Sequence, residues 1–295
     1  MQEKIIVGTR GSALALKQTN MVIDILKKKL ENVEFEIKII TTTGDRIQDR
    51  SLDKIGGKGL FVLEIEKALR DKDIDIAVHS MKDIPAFVDS DFEISPLLKR
   101  EDPRDILISK DNVKFADLPK NAVIGTSSLR RVMQLRNLRS DLIYLPVRGN
   151  IDSRIKKLET GEFQGIILAA AGLNRMGWSS RVTEYFNIDQ VIPSVGQGAL
   201  CIEYRTNDMV IKNIIHEQNR NNEIRGIMAE RSFLEAVNGS CSIAMGAFGE
   251  IIGEELSLKG FYSEDPEGRL IVKTVKGKAK DYQLLGQSLA FELKK

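Results

Sequence analysis

Two stretches of this chain repeat one local design, VGTRGSALAL at 7–16 and IGTSSLRRVM at 124–133. Each takes an apolar strand into Gly-Thr, closes a turn on a serine suited to cap a helix, and runs on as that helix. The first N–H groups of such a helix lack intrahelical partners and carry partial positive charge, so the turn attracts an anion. One such turn is common. Two, about 117 positions apart and each with arginine, predict paired α/β domains that face a shared ligand.

The second stretch is the richer one. Its helix, expected over 128–139, carries Arg130 and Arg131 in the first turn, whereas cations are favoured at the opposite end. A bound carboxylate or phosphate would offset that cost. Arg136, Arg139, Arg148 and Arg154 follow, with only Asp141 and Asp152 to balance them. A solvated basic face is the plainer reading of such a run, but the capped turn favours an anion site. The charge is local, since the whole chain carries only +2. With aromatics at 6%, the stacking surface of a nucleic-acid binder is thin, and no nucleic-acid partner is expected.

Taken in order, strands are expected at 4–7, 34–40, 75–78, 92–98 and 105–109, with helices over 12–30 and 60–69. The charged segment KREDPRD (99–105) reads as a hinge. Beyond it strand and helix alternate at 122–127, 128–139, 142–147, 150–159 and 165–170, the pattern of an α/β domain. A loop and strand follow in IPSVGQGALCIEYR (192–205), then helical patterns from 207 to 237. Strands at 247–252, 255–262 and 269–275 and a helix over 280–291 complete the chain. The fold class is therefore α/β, two hinged α/β domains plus a small C-terminal α+β domain.

Polar side chains at the carboxyl end of a strand in an α/β sheet lie where ligands bind. In AVHSMKDIP that makes Lys82 and Asp83 candidates for charge pairing and proton handling, while His79 reads as a structural histidine. Lys54 and Lys58 belong to a glycine-rich loop that lacks the spacing of a phosphate loop. Of the two cysteines, Cys201 lies within a strand and reads as a small apolar residue, whereas Cys241 sits in the small-residue loop NGSCS. Neither a disulfide framework nor a metal centre is indicated. The longest apolar run, GIILAAAGL (165–173), is far short of a membrane span. The start, MQEKIIVGTRGS, enters a strand without the pattern of a secretory leader, so a cytoplasmic, reducing compartment is expected.

GTRGSALALKQ, TTTGDR, GGKGLF, AVHSMKDIP, REDPRD, GTSSLRR, RGNIDSR, LAAAGLNR, PSVGQGAL and the cysteine loop at 239–241 together resemble the porphobilinogen deaminase, or hydroxymethylbilane synthase, family across nearly the whole chain. The resemblance implies a transferase of heme and tetrapyrrole biosynthesis. Such a protein joins four porphobilinogens head to tail with loss of ammonia and releases linear hydroxymethylbilane by hydrolysis. It carries a dipyrromethane cofactor, built from substrate and held by a thioether, here to Cys241. The implied fold has two domains like periplasmic binding proteins with the cleft between them. Domain 1 spans 1–98 and 193–216, domain 2 spans 99–192, and domain 3, with the cysteine loop, spans 217–295.

By the same resemblance Asp83 is the catalytic residue. Cys241, Lys82, Asp83, Ser80, Thr126, Ser128, Arg130, Arg131 and Arg154 hold the cofactor, and Arg10, Ser12, Gln18, Arg148, Arg175, Gln197, Lys54 and Lys58 bind substrate. Each pyrrole bears an acetate and a propionate, so a growing chain gathers carboxylates, which arginine forks suit. Sheltered charge-assisted bonds contribute about 1.5–3 kcal/mol each and exposed pairs only about 0–1 kcal/mol, so a closed cleft is required. The family commonly has Gly-Gly-Cys and a proline three residues later, where this chain has Ser240 and Ala244. A monomer is expected, with porphobilinogen as its small-molecule partner, no membrane and no metal. The alternative is a non-catalytic hinged receptor for a polycarboxylate or other small anion.

Overall fold

The repeated strand–turn–helix design is present at both places in the structure, a computed structural model that describes residues 4–30, 32–46, 62–97, 99–218, 223–239, 243–265 and 267–295. The chain opens with β1 (Lys4–Thr9), α1 (Ala13–Lys27), β2 (Glu34–Ile39), α2 (Thr43–Arg46), α3 (Leu63–Arg70), β3 (Ile76–Ser80) and β4 (Phe92–Leu97). It continues through β5 (Asp105–Ser109), β6 (Val123–Gly125), α4 (Leu129–Leu138), β7 (Ile143–Leu145), α5 (Ile151–Glu159), β8 (Gly165–Ala169), α6 (Ala170–Met176) and β9 (Glu184–Tyr185). The remainder is β10 (Leu200–Arg205), α7 (Met209–Gln218), α8 (Glu223–Ala236), β11 (Ala244–Ile252), β12 (Glu255–Ser263), β13 (Val272–Lys278) and α9 (Tyr282–Lys294).

Two compact units result, Met1–Arg100 with Ala199–Ile224, and Glu101–Gly198 with Arg225–Lys295. The first is built on a five-stranded sheet in the order β2-β1-β3-β10-β4. β1 is parallel to β2 and β3, whereas β10 is antiparallel to β3 and β4. On one face α1 buries Val22, Ile23 and Leu26 against Ile5, Val7, Ile76, Val78 and Ile202, the one-sided stripe of an amphipathic helix. Ile65 and Leu69 of α3 pack with Ile74, Ala77 and Phe92. β3 is covered on both sides, so its residues 76–78, IAV, read as continuously apolar rather than alternating.

The second unit contains a five-stranded sheet ordered β7-β6-β8-β5-β9 and a three-stranded antiparallel sheet ordered β11-β12-β13. Within the five-stranded sheet β6 is parallel to β7 and β8, and β5 is antiparallel to β8 and β9. The two five-stranded sheets thus share one plan. In each, the first strand of the repeated design lies between two parallel neighbours, and an antiparallel strand follows beyond the second. The βα alternation in the sequence does not announce those antiparallel strands, because β5 and β10 begin where the chain changes unit and have no crossover helix before them.

Several expected elements are shorter or displaced. β6 and β7 have three residues each, because Thr126 leaves the ladder after its N–H bonds Leu145 O at 2.8 Å, and Pro146 offers no N–H. β13 starts at Val272 instead of 269. β9, only two residues long, left no periodic signal. Among the described residues no helix is long and apolar enough to cross a membrane.

The C-terminal helix closes on α8 at a glycine. A Cβ on Gly286 would lie 2.6 Å from Ala229 O and 2.7 Å from Phe233 N. Gly286→Ala is expected to push α9 off α8 and cost about 1–3 kcal/mol. Thermal denaturation measures this, and an unshifted midpoint would contradict so close an approach.

Candidate active site

In the first unit the end of β3 runs into a single 3-10 turn, Met81–Asp83. Met81 and Ile84 point inward and are fully or nearly buried, and the Met81 N–H bonds Ala199 O at 3.0 Å. With those two anchored, Lys82 and Asp83 are left exposed. Pro85 follows and ends the turn, so the apolar–polar order of SMKDIP itself presents the carboxylate.

A recess of about 60 Å³ lies beside it, lined by Arg10, Ser12, Gln18, His79, Ser80 and Asp83 among others. Ser12 caps α1, its Oγ accepting from Ala15 N at 3.2 Å. One turn on, Gln18 Nε2 donates to Ser80 Oγ at 3.1 Å. Arg10 donates through Nε to Asp45 Oδ1 at 3.1 Å and also pairs through Nη2. Burial, the largest influence on Asp45, opposes its ionisation, but bonds from Arg10 and Thr42 outweigh it and hold the carboxyl below its usual range. His79 is buried with Nε2 2.9 Å from Glu203 Oε2, a partner that suits its structural reading.

The second unit gathers the other group. Arg131 donates from Nε and Nη2 to Asp105 Oδ1 at 3.0 and 2.7 Å, and from Nη1 to Ile167 O at 2.9 Å. Arg130 Nη1 lies 2.6 Å from Asp105 Oδ2 and donates to Ile192 O at 2.6 Å. Gln197, 1% exposed, donates from Nε2 to Pro103 O at 2.7 Å and to Asp105 Oδ1 at 3.0 Å. Asp105 has no solvent exposure. Burial alone would push its carboxyl up, yet Arg130 and Arg131 hold it far below the usual carboxylate range.

The counter-charge for the two helix-start arginines is therefore internal. The sequence pattern points to a bound anion for that role, with Asp141 and Asp152 as the only nearby offsets to the arginines that follow. Asp141 instead pairs with Arg139 at 2.7 Å, and Arg136 pairs with Glu267. Asp105 and Asp45 were missed as partners, although both stand in motifs already singled out, REDPRD and TTTGDR.

Around this cluster Arg175 is buried and donates from Nη2 to Gly198 O at 2.6 Å, while its Nε has no partner among the described residues. Thr126 is buried and its Oγ1 accepts from Ser128 N at 3.3 Å. Ser128 begins α4 through its carbonyl, with no side-chain cap, unlike Ser12. At the start of α5 Arg154 folds back to donate to Gly149 O at 2.8 Å, and Arg148 is half-buried. The structure thus brings Arg10, Ser12, Gln18, Ser80 and Asp83 together in one unit, and Arg130, Arg131 and Gln197 together in the other. Lys54, Lys58 and Cys241 lie outside the described residues. Guanidinium donors are common to both groups, with two hydroxyls in the first and an amide in each, a donor set for carboxylates.

Comparison with known proteins gives the same direction. Residues 5–213 match the family described as "Porphobilinogen deaminase, dipyromethane cofactor binding domain", and residues 224–295 match "Porphobilinogen deaminase, C-terminal domain". Porphobilinogen deaminase of Clostridioides difficile is 49% identical over 288 residues, 97% of this chain and 95% of that protein. The Alkaliphilus metalliredigens protein of the same name is 46% identical over 283 residues, covering 96% and 90%. Among solved structures, a probable amino-acid ABC transporter extracellular-binding protein from Bacillus subtilis aligns at a TM-score of 0.45 and 14% identity, over 79% of this chain and 97% of that one. On the strength of the family matches and the near full-length relatives, the chain belongs to the porphobilinogen deaminase family.

Proposed function

We propose that Asp83 is the charge-stabilising and proton-handling group of this enzyme and that its arginines hold the carboxylates of substrate and product. The activity itself comes with the family: the protein is a hydroxymethylbilane synthase, a transferase of tetrapyrrole biosynthesis that takes porphobilinogen and uses a dipyrromethane cofactor. Each condensation breaks the aminomethyl C–N bond of a porphobilinogen, releases ammonia, forms a C–C bond to a pyrrole α-carbon and frees the proton of that carbon. Positive charge develops on pyrrole nitrogen as the C–N bond breaks, and a fixed carboxylate beside it lowers the barrier. Asp83 also suits the transfer of the freed proton. The observation that carries this is the placement of Asp83 in one recess with Arg10, Ser12, Gln18 and Ser80.

The residues fit the cofactor. Its acetates and propionates match the donor set, and Arg175 Nε and two N–H groups of Arg131 have no bonding partner among the described residues. Once bound, the dipyrromethane supplies the pyrrole α-carbon to which the first unit is joined. Ser80, Lys82, Asp83, Thr126, Ser128, Arg130, Arg131 and Arg154 are proposed to hold it, with Cys241 Sγ as the tether. Arg10, Ser12, Gln18, Arg148 and Arg175, with Lys54 and Lys58, are proposed for substrate. The three-domain division at 1–98 with 193–216, 99–192 and 217–295, a cytoplasmic location and a monomeric state are part of the same proposal. The receptor alternative is not favoured by the family.

Intact mass tests the tether. The purified chain is expected to weigh more than its polypeptide by two pyrrole units, and Cys241→Ser to show bare mass and no porphobilinogen consumption. An active wild-type chain of bare mass would remove Cys241 from this role.

A further inference from the structure

We propose that Asp105 and Gln197 are positioning residues: Asp105 holds Arg131 by the inner part of its guanidinium, Gln197 completes the shell of Asp105, and the rest of the Arg131 fork is left for a ligand carboxylate. The inference rests on the reading of Arg131 as a cofactor-binding residue and assigns Gln197 a different part from substrate contact.

The geometry argues for this in steps. Of the five N–H groups on a guanidinium, Arg131 engages three through its bonds to Asp105 and Ile167 O. The two that remain, one on each terminal nitrogen, have no partner among the described residues and are available to donate to a ligand carboxylate. Asp105 Oδ1 meanwhile accepts from Arg131 twice and from Gln197 once, and its Oδ2 faces Arg130. Its one negative charge against two arginines leaves the cluster net positive.

Gln197 is placed to serve that carboxylate. It is 1% exposed, and its amide donates to Asp105 and to Pro103 O. Its backbone is held by a tight turn flanked by two glycines in the left-handed region, Gly196 at φ 68° and Gly198 at φ 89°. Gly196 N donates to the buried Glu230 of α8 at 2.7 Å, and Gly198 O accepts from Arg175 at 2.6 Å. The loop is pinned from both ends, so the Gln197 amide is a fixed donor.

A double-mutant cycle on Gln197→Leu and Arg131→Lys tests the proposal, using enzyme as expressed. The reading is the ratio of cofactor-bearing to bare chains by intact mass. Arg131→Lys keeps the charge and lacks the fork. Each single change is expected to lower the ratio about tenfold, and the pair together no more than twofold beyond either one. Losses that multiply would show Gln197 acting independently of Arg131 and overturn the proposal, as would an unchanged ratio in Gln197→Leu. An unchanged ratio in Arg131→Lys would overturn the parent reading of Arg131 first, and this one with it. Should Gln197→Leu fail to fold, Gln197→Met, which preserves the length of the stem, takes its place in the cycle with the same expected outcomes.

Discussion

Asp83→Asn enzyme is expected to bind porphobilinogen and scarcely turn it over, with kcat falling about 10²–10⁴-fold. Asparagine preserves the shape and the turn, since Met81 and Ile84, not the carboxylate, anchor that segment. The substitution removes the negative charge that develops its value only as the C–N bond breaks, and the site for the proton released afterwards. Because the interaction strengthens in the transition state, the loss falls on kcat and kcat/KM together, with KM little changed. Steady-state kinetics with holoenzyme, its cofactor load verified by mass, makes the measurement. A kcat within a few-fold of wild type would take Asp83 out of the chemistry.

The second large effect is on stability. Asp105→Asn is expected to destabilise the fold by about 3–5 kcal/mol, because it leaves two buried guanidiniums with no carboxylate between them. That corresponds to a fall in Tm on the order of 10 °C. The pH dependence has a definite sign. In the folded chain the Asp105 carboxyl titrates far below its unfolded value of about 3.9. Its contribution is therefore complete above that unfolded value and is lost as pH falls toward the folded one. Wild-type stability should drop from about pH 5 downward, and the Asp105→Asn chain should show a flatter acid limb. Equal acid limbs, or an unchanged Tm at neutral pH, would mean that Asp105 is not the counter-charge of Arg130 and Arg131.

The site is partly legible in the amino-acid sequence. SMKDIP sets Lys82 and Asp83 between two apolar residues at the carboxyl end of a strand, which marks Asp83 as a presented carboxylate, and Ser12 caps its helix as its position suggests. Ser128, read the same way, begins its helix without a side-chain cap. The arginines at the start of α4 do need an anion, but where the sequence points to a bound carboxylate or phosphate the structure supplies the chain's own Asp105. With 42 acidic residues in the chain, nothing local marks Asp105 as the partner of Arg130 and Arg131.

The amino-acid order by itself determined the strands, the turns and the helices of the repeated design, because side-chain periodicity and turn chemistry act over a few residues. It also carried the motifs that reveal the family. Tertiary structure alone decided that β5 and β10 join their sheets antiparallel, that Asp45 pairs with Arg10, and that one buried carboxylate serves two arginines. Those outcomes depend on which distant segments share a dry interior, where the cost of burying a charge forces it to find its opposite however far away along the chain.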